Sequence, residues 1–233
     1  MNNSFINQIS NLHKSGISTG FLSTLSSSFL SRLYKAISDT AFSKVFVIIG
    51  NEISDVKVTE QTAEMSINQP AGFIACSLDT SKMYQSILIR NWLQFMVYLV
   101  PSFFSINNIK RMVQTILYGF KKKSGSSFGD GGQGTEECKA ELLSIVVDAE
   151  YRGRGAGKRL IGAMEEYFKN SGIRCYKVVT WSGDEAANAF YRAVGFRFRR
   201  SFEHHGKVLN EYVKELEDKS ATEAQRHRER RNR

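Results

Sequence analysis

Apolar residues repeat at helical spacing in the first part of the chain and at strand spacing after it. Between Ser4 and Ser38 the apolar positions recur every three or four residues, which predicts two helices joined near Gly16 to Gly20. Two β-rich runs follow, Val45 to Ile49 and Ala71 to Cys76, and both end in turn residues. They predict a hairpin with a long polar connection.

The rest of the chain changes character twice. Residues 84–99 and 109–120 predict two apolar helices, and glycine and serine then dominate from Lys121 to Cys138, which indicates a flexible connector. The predicted elements after the connector are a strand at 140–147, a helix at 156–170, a strand at 176–180, a helix at 184–194, and strands at 196–202 and 208–216. This order predicts an α/β (α+β) fold with a mixed sheet flanked by helices.

Composition excludes several classes of protein. The 233 residues are 42% hydrophobic and 24% charged, which is typical of a globular chain and excludes collagen-like, disordered and disulfide-scaffold proteins. Three cysteines, widely spaced and without a C-x-x-C pair, predict reduced thiols and a cytoplasmic protein. The polar start of the chain predicts no secretory signal, and the apolar stretch Trp92 to Ile106 is too short for a spanning helix. A membrane-surface contact by these apolar helices is an alternative.

The formal charge of +9 is unevenly distributed. Five arginines against one glutamate in the last eight residues supply +4 of it, and +5 remains on residues 1–225. A charge of this size suits an anionic small ligand as well as a phosphate backbone. We therefore expect no nucleic-acid partner, and we expect residues 218–233 to be a disordered basic tail, although a nucleic-acid-binding module that uses the tail is an alternative.

A glycine-rich turn lies between the strand at 140–147 and the helix at 156–170. Gly153, Gly155 and Gly157 permit a close backbone approach, and the N–H groups of the first helical turn have no partner within the helix. Such a helix start binds anions, most naturally phosphates. The glycine spacing does not fit the G-x-G-x-x-G pattern of dinucleotide-binding folds.

Two motifs in this region resemble those of one family. Arg152, Gly155 and Gly157 match the R/Q-x-x-G-x-G/A acyl-coenzyme-A signature of the GNAT superfamily of N-acetyltransferases. Residues Asn188 to Phe196 are similar to the N-x-F-Y-x-x-x-G-F segment that closes the cofactor site in that superfamily. The resemblance covers residues 140–216, and it implies a GNAT fold whose central sheet is splayed at an acetyl-CoA site.

The resemblance also implies a set of cofactor contacts. The pantetheine arm would pair with the strand backbone, and main-chain N–H groups of the turn would hold the pyrophosphate. The residues implied are Ile145, Val146, Val147, Arg152, Gly153, Arg154, Gly155, Ala156, Gly157, Lys158, Asn188 and Tyr191. Solvated arginine side chains and a helix-capping Asn188 are the alternatives at these positions.

Acetyl transfer needs an unprotonated amine and a proton for the departing thiolate. Tyr191 matches the general acid of the family, and a core tyrosine is its alternative. Glu141 matches a glutamate that deprotonates the amine through water in several members, whereas an exposed strand-end carboxylate or a water chain are the alternatives. His13 belongs to a helix that the family uses near the acceptor, but it is more typical of a surface or capping residue. Adjacent His204 and His205 point to opposite faces of a strand, so no metal site is predicted.

The sequence thus predicts one GNAT domain at residues 1–217. Its predicted activity is direct transfer of an acetyl group from acetyl-CoA to a primary amine of a small molecule, with an amino sugar or sugar nucleotide as the first hypothesis. A non-catalytic acyl-CoA sensor and a protein amine acetyltransferase are the alternatives. Residues 84–120 exceed the minimal fold of the family, so the resemblance implies a helical insertion there, which would line the acceptor pocket or form a homodimer contact.

Overall fold

The computed structural model describes residues 3–17, 22–49, 52–55, 69–99, 138–204 and 206–217. The helices are α1 (Asn3–Gly16), α2 (Ser27–Ser38), α3 (Thr80–Leu99), α4 (Ala156–Asn170) and α5 (Glu185–Ala193). The strands are β1 (Ser43–Ile49), β2 (Glu52–Asp55), β3 (Pro70–Ser77), β4 (Ala140–Val147), β5 (Cys175–Trp181), β6 (Arg197–His204) and β7 (Lys207–Glu215). The predicted helix at 109–120, nearly all of the connector and the tail lie outside the described residues.

In the described part of the chain, seven strands form one sheet in the order β2-β1-β3-β4-β5-β7-β6. Only β4 and β5 are parallel, and the other neighbours are antiparallel, so the predicted mixed sheet is confirmed. Strand β2 was not predicted. It has four residues, three of them polar, at the sheet edge, where it pairs antiparallel with the second half of β1.

Helices cover both faces of this sheet. One apolar cluster lies beneath α4 and α5, and a second lies beneath α1, α2 and α3. Strand β3 is buried along its whole length because both clusters use it, which explains its unbroken apolar sequence. Among the helices in the described part of the chain, none has the length and apolarity needed to cross a membrane.

Two of the three cysteines are joined. Cys138 and Cys175 form a disulfide with their Cα atoms 5.4 Å apart, and Cys76 is a buried residue that takes no part in this bond. The prediction of unpaired thiols is therefore wrong, because it considered spacing along the chain alone. Parallel pairing of β4 with β5 brings the start of one strand beside the start of the other. A reducing compartment does not explain this bond, so the cytoplasmic location stays a prediction with one observation against it.

Candidate functional site

Strands β4 and β5 separate after their first three residues. Their ladder covers only Ala140 to Leu142, opposite Tyr176 to Val178, while β4 remains paired with β3 as far as Val147. The β5-facing backbone groups of the second half of β4 are therefore left outside the sheet ladder. This wedge matches the splay that the resemblance implies, and it includes Ile145 to Val147.

Strand β4 carries a bulge near the closed end of the wedge, where β4 and β5 separate. Ser144 pairs with Ala75 and Leu142 pairs with Cys76, which leaves Leu143 as an extra residue. The alternation of faces shifts there, because a bulge places two successive side chains on one side. Leu142 packs in the cluster beneath α4, whereas Leu143 packs against the cluster beneath α1 and α2, and Ser144 reaches α2.

The glycine turn leads from the wedge into α4. Gly153 and Gly155 have positive φ angles of 74° and 81°, which glycine adopts at little cost. Gly155 is the N-cap and offers no side-chain acceptor, so first-turn N–H groups of α4 are left for an anion. A Cβ atom on Gly157 would lie 3.1 Å from the Phe190 ring, so this glycine permits the start of α4 to approach α5.

The basic side chains of the turn differ in their positions. Arg152, Arg154 and Lys158 are all exposed. The Nε of Arg152 donates to the carbonyl of Val147 at 3.0 Å, which directs this side chain back toward the strand end. Ala156, one of the cofactor contacts that the resemblance implies, has a buried side chain, so only its backbone could meet a ligand.

Tyr191 lies on α5 on the α4 side of the sheet. It is 6% exposed and packs edge-on against Phe190 and Phe196. Burial, and then the negative charge of Asp184, raise the pKa of Tyr191 above its ordinary value. The phenol therefore holds its proton at neutral pH, as a general acid must before it acts.

Asn188 lies one turn before Tyr191 and is engaged within the protein. Its amide N–H groups are shared among the carbonyls of Trp181, Ser182 and Asp184, at 2.6 to 3.3 Å. Its Oδ1 accepts from Asn210 at 2.9 Å and from Tyr212 at 2.8 Å. Because an amide has two donors and two acceptor lone pairs, no capacity is left for a ligand. Asn188 joins α5 to β7 and to the end of β5, and is neither the free cofactor contact nor the simple helix cap considered above.

Glu141 lies at the closed end of the wedge, on the face that carries α3. The Thr80 hydroxyl donates to its Oε2 at 3.1 Å, and Lys177 Nζ lies 3.7 Å from the same oxygen. Burial raises the pKa of Glu141 above its ordinary value, while Lys177 and Thr80 oppose that shift. A carboxylate with a raised pKa accepts a proton more readily at neutral pH, which suits a base.

Sequence reasoning missed a buried polar chain beside the bulge. His13 Nδ1 lies 2.6 Å from the Tyr34 hydroxyl, which lies 2.9 Å from Ser144 Oγ. His13 is 1% exposed, so the interpretation of it as a surface or capping residue is wrong. The available signal was its position four residues after Ile9 on the apolar face of α1.

The comparisons with known proteins agree with this geometry. A profile of the acetyltransferase (GNAT) family matches residues 118–196. Over these residues the chain is similar to the GNAT acetyltransferases. It is 39% identical over 57 residues to an uncharacterised N-acetyltransferase of Methanocaldococcus jannaschii, and 41% identical over 56 residues to the glucosamine 6-phosphate N-acetyltransferase of Trypanosoma brucei brucei. Each match covers 24% of this chain, and they cover 25% and 36% of those relatives.

Solved structures share the fold over most of the chain. A chain of the NatC complex bound to Gag peptide and CoA matches with a TM-score of 0.51 and 13% identity, covering 93% of both chains. Arabidopsis thaliana NAA60 in complex with acetyl-CoA matches with a TM-score of 0.50 and 14% identity, covering 91% of this chain and 94% of that one. At this identity the likeness establishes the GNAT fold alone.

Proposed function

We propose that the protein is an N-acetyltransferase that transfers the acetyl group of acetyl-CoA directly to a primary amine of a small molecule. One observation carries the proposal. The wedge between β4 and β5 opens directly beside a helix start that has free N–H groups and no side-chain cap. An extended arm with amide groups and a phosphate group at its far end fits this combination.

Each part of the site has a proposed role in holding acetyl-CoA. The backbone of Ile145 to Val147 pairs with the pantetheine arm, as a further strand would. The N–H groups from Gly153 to Lys158 hold the pyrophosphate, and Arg154 and Lys158 add positive charge nearby. Arg152 contributes through its contact with Val147, which fixes the strand end.

The transfer itself requires three further roles. Acetyl-CoA supplies an activated thioester, and the amine nitrogen forms the new bond to its carbonyl carbon as the bond to sulfur breaks. The amide N–H of Ile145 donates to the carbonyl oxygen while negative charge develops on it. Glu141 accepts the proton that the amine loses, through water, and Tyr191 donates a proton to the departing thiolate.

The acceptor is proposed only by class. The positive charge on residues 1–225 suits an anionic acceptor, and one relative that matches a quarter of the chain is named as an amino-sugar phosphate acetyltransferase. We therefore place amino sugars and sugar nucleotides first, ahead of protein amines.

A thiol-release assay over a panel of amines, run beside acetyl-CoA calorimetry, tests the proposal. We expect acetyl-CoA binding, with CoA released only when an amine is present and one acetylamine formed per CoA. Binding without turnover of any amine would instead support an acyl-CoA sensor. Absence of acetyl-CoA binding would refute both functions.

A further inference from the structure

The His13, Tyr34 and Ser144 chain joins three elements across the buried face of the sheet. His13 belongs to α1, Tyr34 to α2 and Ser144 to the bulge of β4, and all three side chains are buried. Their surroundings are apolar; the neighbours include Ile9, Phe73 and Val146. Polar groups are costly in such surroundings unless they are hydrogen-bonded, so an apolar trio would pack here at lower cost.

Both ends of this chain have unused hydrogen-bonding capacity. The Nε2 atom of His13 is buried and has no partner among the described residues. At the other end, the only hydrogen bond that the structure gives the Ser144 hydroxyl within those residues is to Tyr34. A network that served packing alone would satisfy its members. Here the β4 end stops beside Ile145, where the wedge begins.

The histidine sets the direction of the hydrogen bonds. Burial lowers the pKa of His13 to about 4, so its ring is neutral at pH 7. A buried N–H without a partner is rarer than a buried acceptor without one, which favours the tautomer with the proton on Nδ1. His13 then donates to Tyr34, Tyr34 donates to Ser144, and each hydroxyl has only one proton. The Ser144 proton is therefore left to donate to another group.

We propose that Ser144 is a specificity-determining residue that donates a hydrogen bond to an oxygen of the acceptor next to its amine, and that Tyr34 and His13 are its positioning residues. The inference rests on the proposed function. The bulge places Ser144 on the same face of the sheet as Glu141, the proposed base, and next in sequence to the amide proposed to meet the thioester oxygen. The Ser144 hydroxyl cannot usefully donate to the amine nitrogen of the acceptor, because the lone pair of that nitrogen must attack the carbonyl carbon of the thioester. It would select amines that carry a hydroxyl or ether oxygen on the adjacent carbon.

Matched acceptors test this selection directly. Thiol release is measured with trans-2-aminocyclohexanol and with cyclohexylamine, which lacks the neighbouring hydroxyl, and D-glucosamine serves as a second oxygen-bearing amine. We expect the wild type to favour the amino alcohol by about tenfold in kcat/KM, the effect of one hydrogen bond. Ser144→Ala should bring that ratio close to one while acetyl-CoA affinity stays the same.

Three variants separate positioning from folding. Tyr34→Phe should lower the ratio, because Ser144 is then free to rotate. His13→Asn places an amide N–H near the position of Nδ1 and should keep the ratio. Ser10→Ala is the control. It removes a different buried serine, on α1, whose hydroxyl is hydrogen-bonded to Ser31. It should leave the ratio unchanged while lowering Tm by about as much as Ser144→Ala does.

The outcomes distinguish this inference from the proposed function. If the wild type binds acetyl-CoA and acetylates amines without any preference for a neighbouring oxygen, only the role of Ser144 is overturned. A preference that survives Ser144→Ala overturns it as well. If acetyl-CoA does not bind and no amine is acetylated, the proposed function fails and this inference fails with it.

Discussion

Burial of His13 predicts that the protein loses stability on mild acidification. The pKa of His13 is lowered from 6.5 to about 4 because the ring is buried away from water. Between these values the unfolded chain binds a proton that the folded protein does not bind. The contribution of His13 to stability is therefore complete above pH 6.5 and falls as the pH falls toward 4.

The size of the effect follows from the two pKa values. At pH 5.0 the unfolded histidine is almost fully protonated and the folded one is almost fully neutral, which favours unfolding by about 2 kcal/mol. Below pH 4 the loss approaches about 3 kcal/mol. At pH 7.5 His13 is neutral in both the folded and the unfolded protein, so its titration takes almost nothing from the free energy of unfolding.

Urea unfolding at pH 7.5 and pH 5.0 measures this difference. His13→Asn removes the titrating ring and keeps a hydrogen-bond donor for Tyr34. Between pH 7.5 and pH 5.0, the free energy of unfolding of this variant should therefore fall by about 2 kcal/mol less than that of the wild type. Other titrating groups are common to both proteins and cancel in the comparison. Lys14→Gln, at the exposed neighbouring position, is the control and should follow the wild type. Parallel stability curves for wild type and His13→Asn would show that His13 is not buried as a neutral ring.

Three further predictions concern the acid, the glycines of α4 and the disulfide. Tyr191→Phe should lower kcat by at least about a hundredfold with little change in acetyl-CoA affinity by calorimetry, and equal losses in both would exclude its role as the acid. Gly162→Ala, at an exposed helical position where an added Cβ meets no neighbour, should raise the free energy of unfolding by about 1 kcal/mol in urea titration. Gly157→Ala should instead lower acetyl-CoA affinity, because the added Cβ would press against the Phe190 ring. Unchanged affinity in Gly157→Ala would contradict the close approach of α4 to α5. Reduction of the disulfide, which closes a sequence separation of 37 residues, should cost about 4 kcal/mol of stability. Thiol titration in denaturant should find one thiol before reduction and three after it, and three before reduction would show that the bond does not form.

Local features of the site were predictable from the sequence. The turn from Gly153 to Gly157 depends on glycine spacing within five residues, and the wedge beside it follows from the family motif. The succession of strands and helices along the chain was also predictable, because turn residues separate the elements from β4 to β7. Such signals lie within a few residues of the structure that they specify.

Contacts between distant segments were not predictable in this way. Asn188 meets partners 22 and 24 residues away on β7, and Tyr34 meets Ser144 at a separation of 110 residues. A polar residue in an amphipathic helix gives no sign of which strand will satisfy it. The role of Asn188 therefore changed once its partners were known, and His13 changed from an exposed residue to a buried one.

The bulge in β4 is a local feature of the strand, but it depends on contacts with distant segments. Its residues Leu142, Leu143 and Ser144 lie in a mostly apolar strand that packs against an apolar cluster on each face, so the sequence has no polar–apolar alternation whose interruption would mark an extra residue. Yet the extra residue decides the chemistry available at the wedge. Without it, Ser144 would lie on the α4 side with Leu142, and the hydroxyl could not reach Tyr34. The serine is compatible with a buried strand only because the bulge turns it toward a partner, and this same turn places an unused donor beside the proposed point of acetyl transfer.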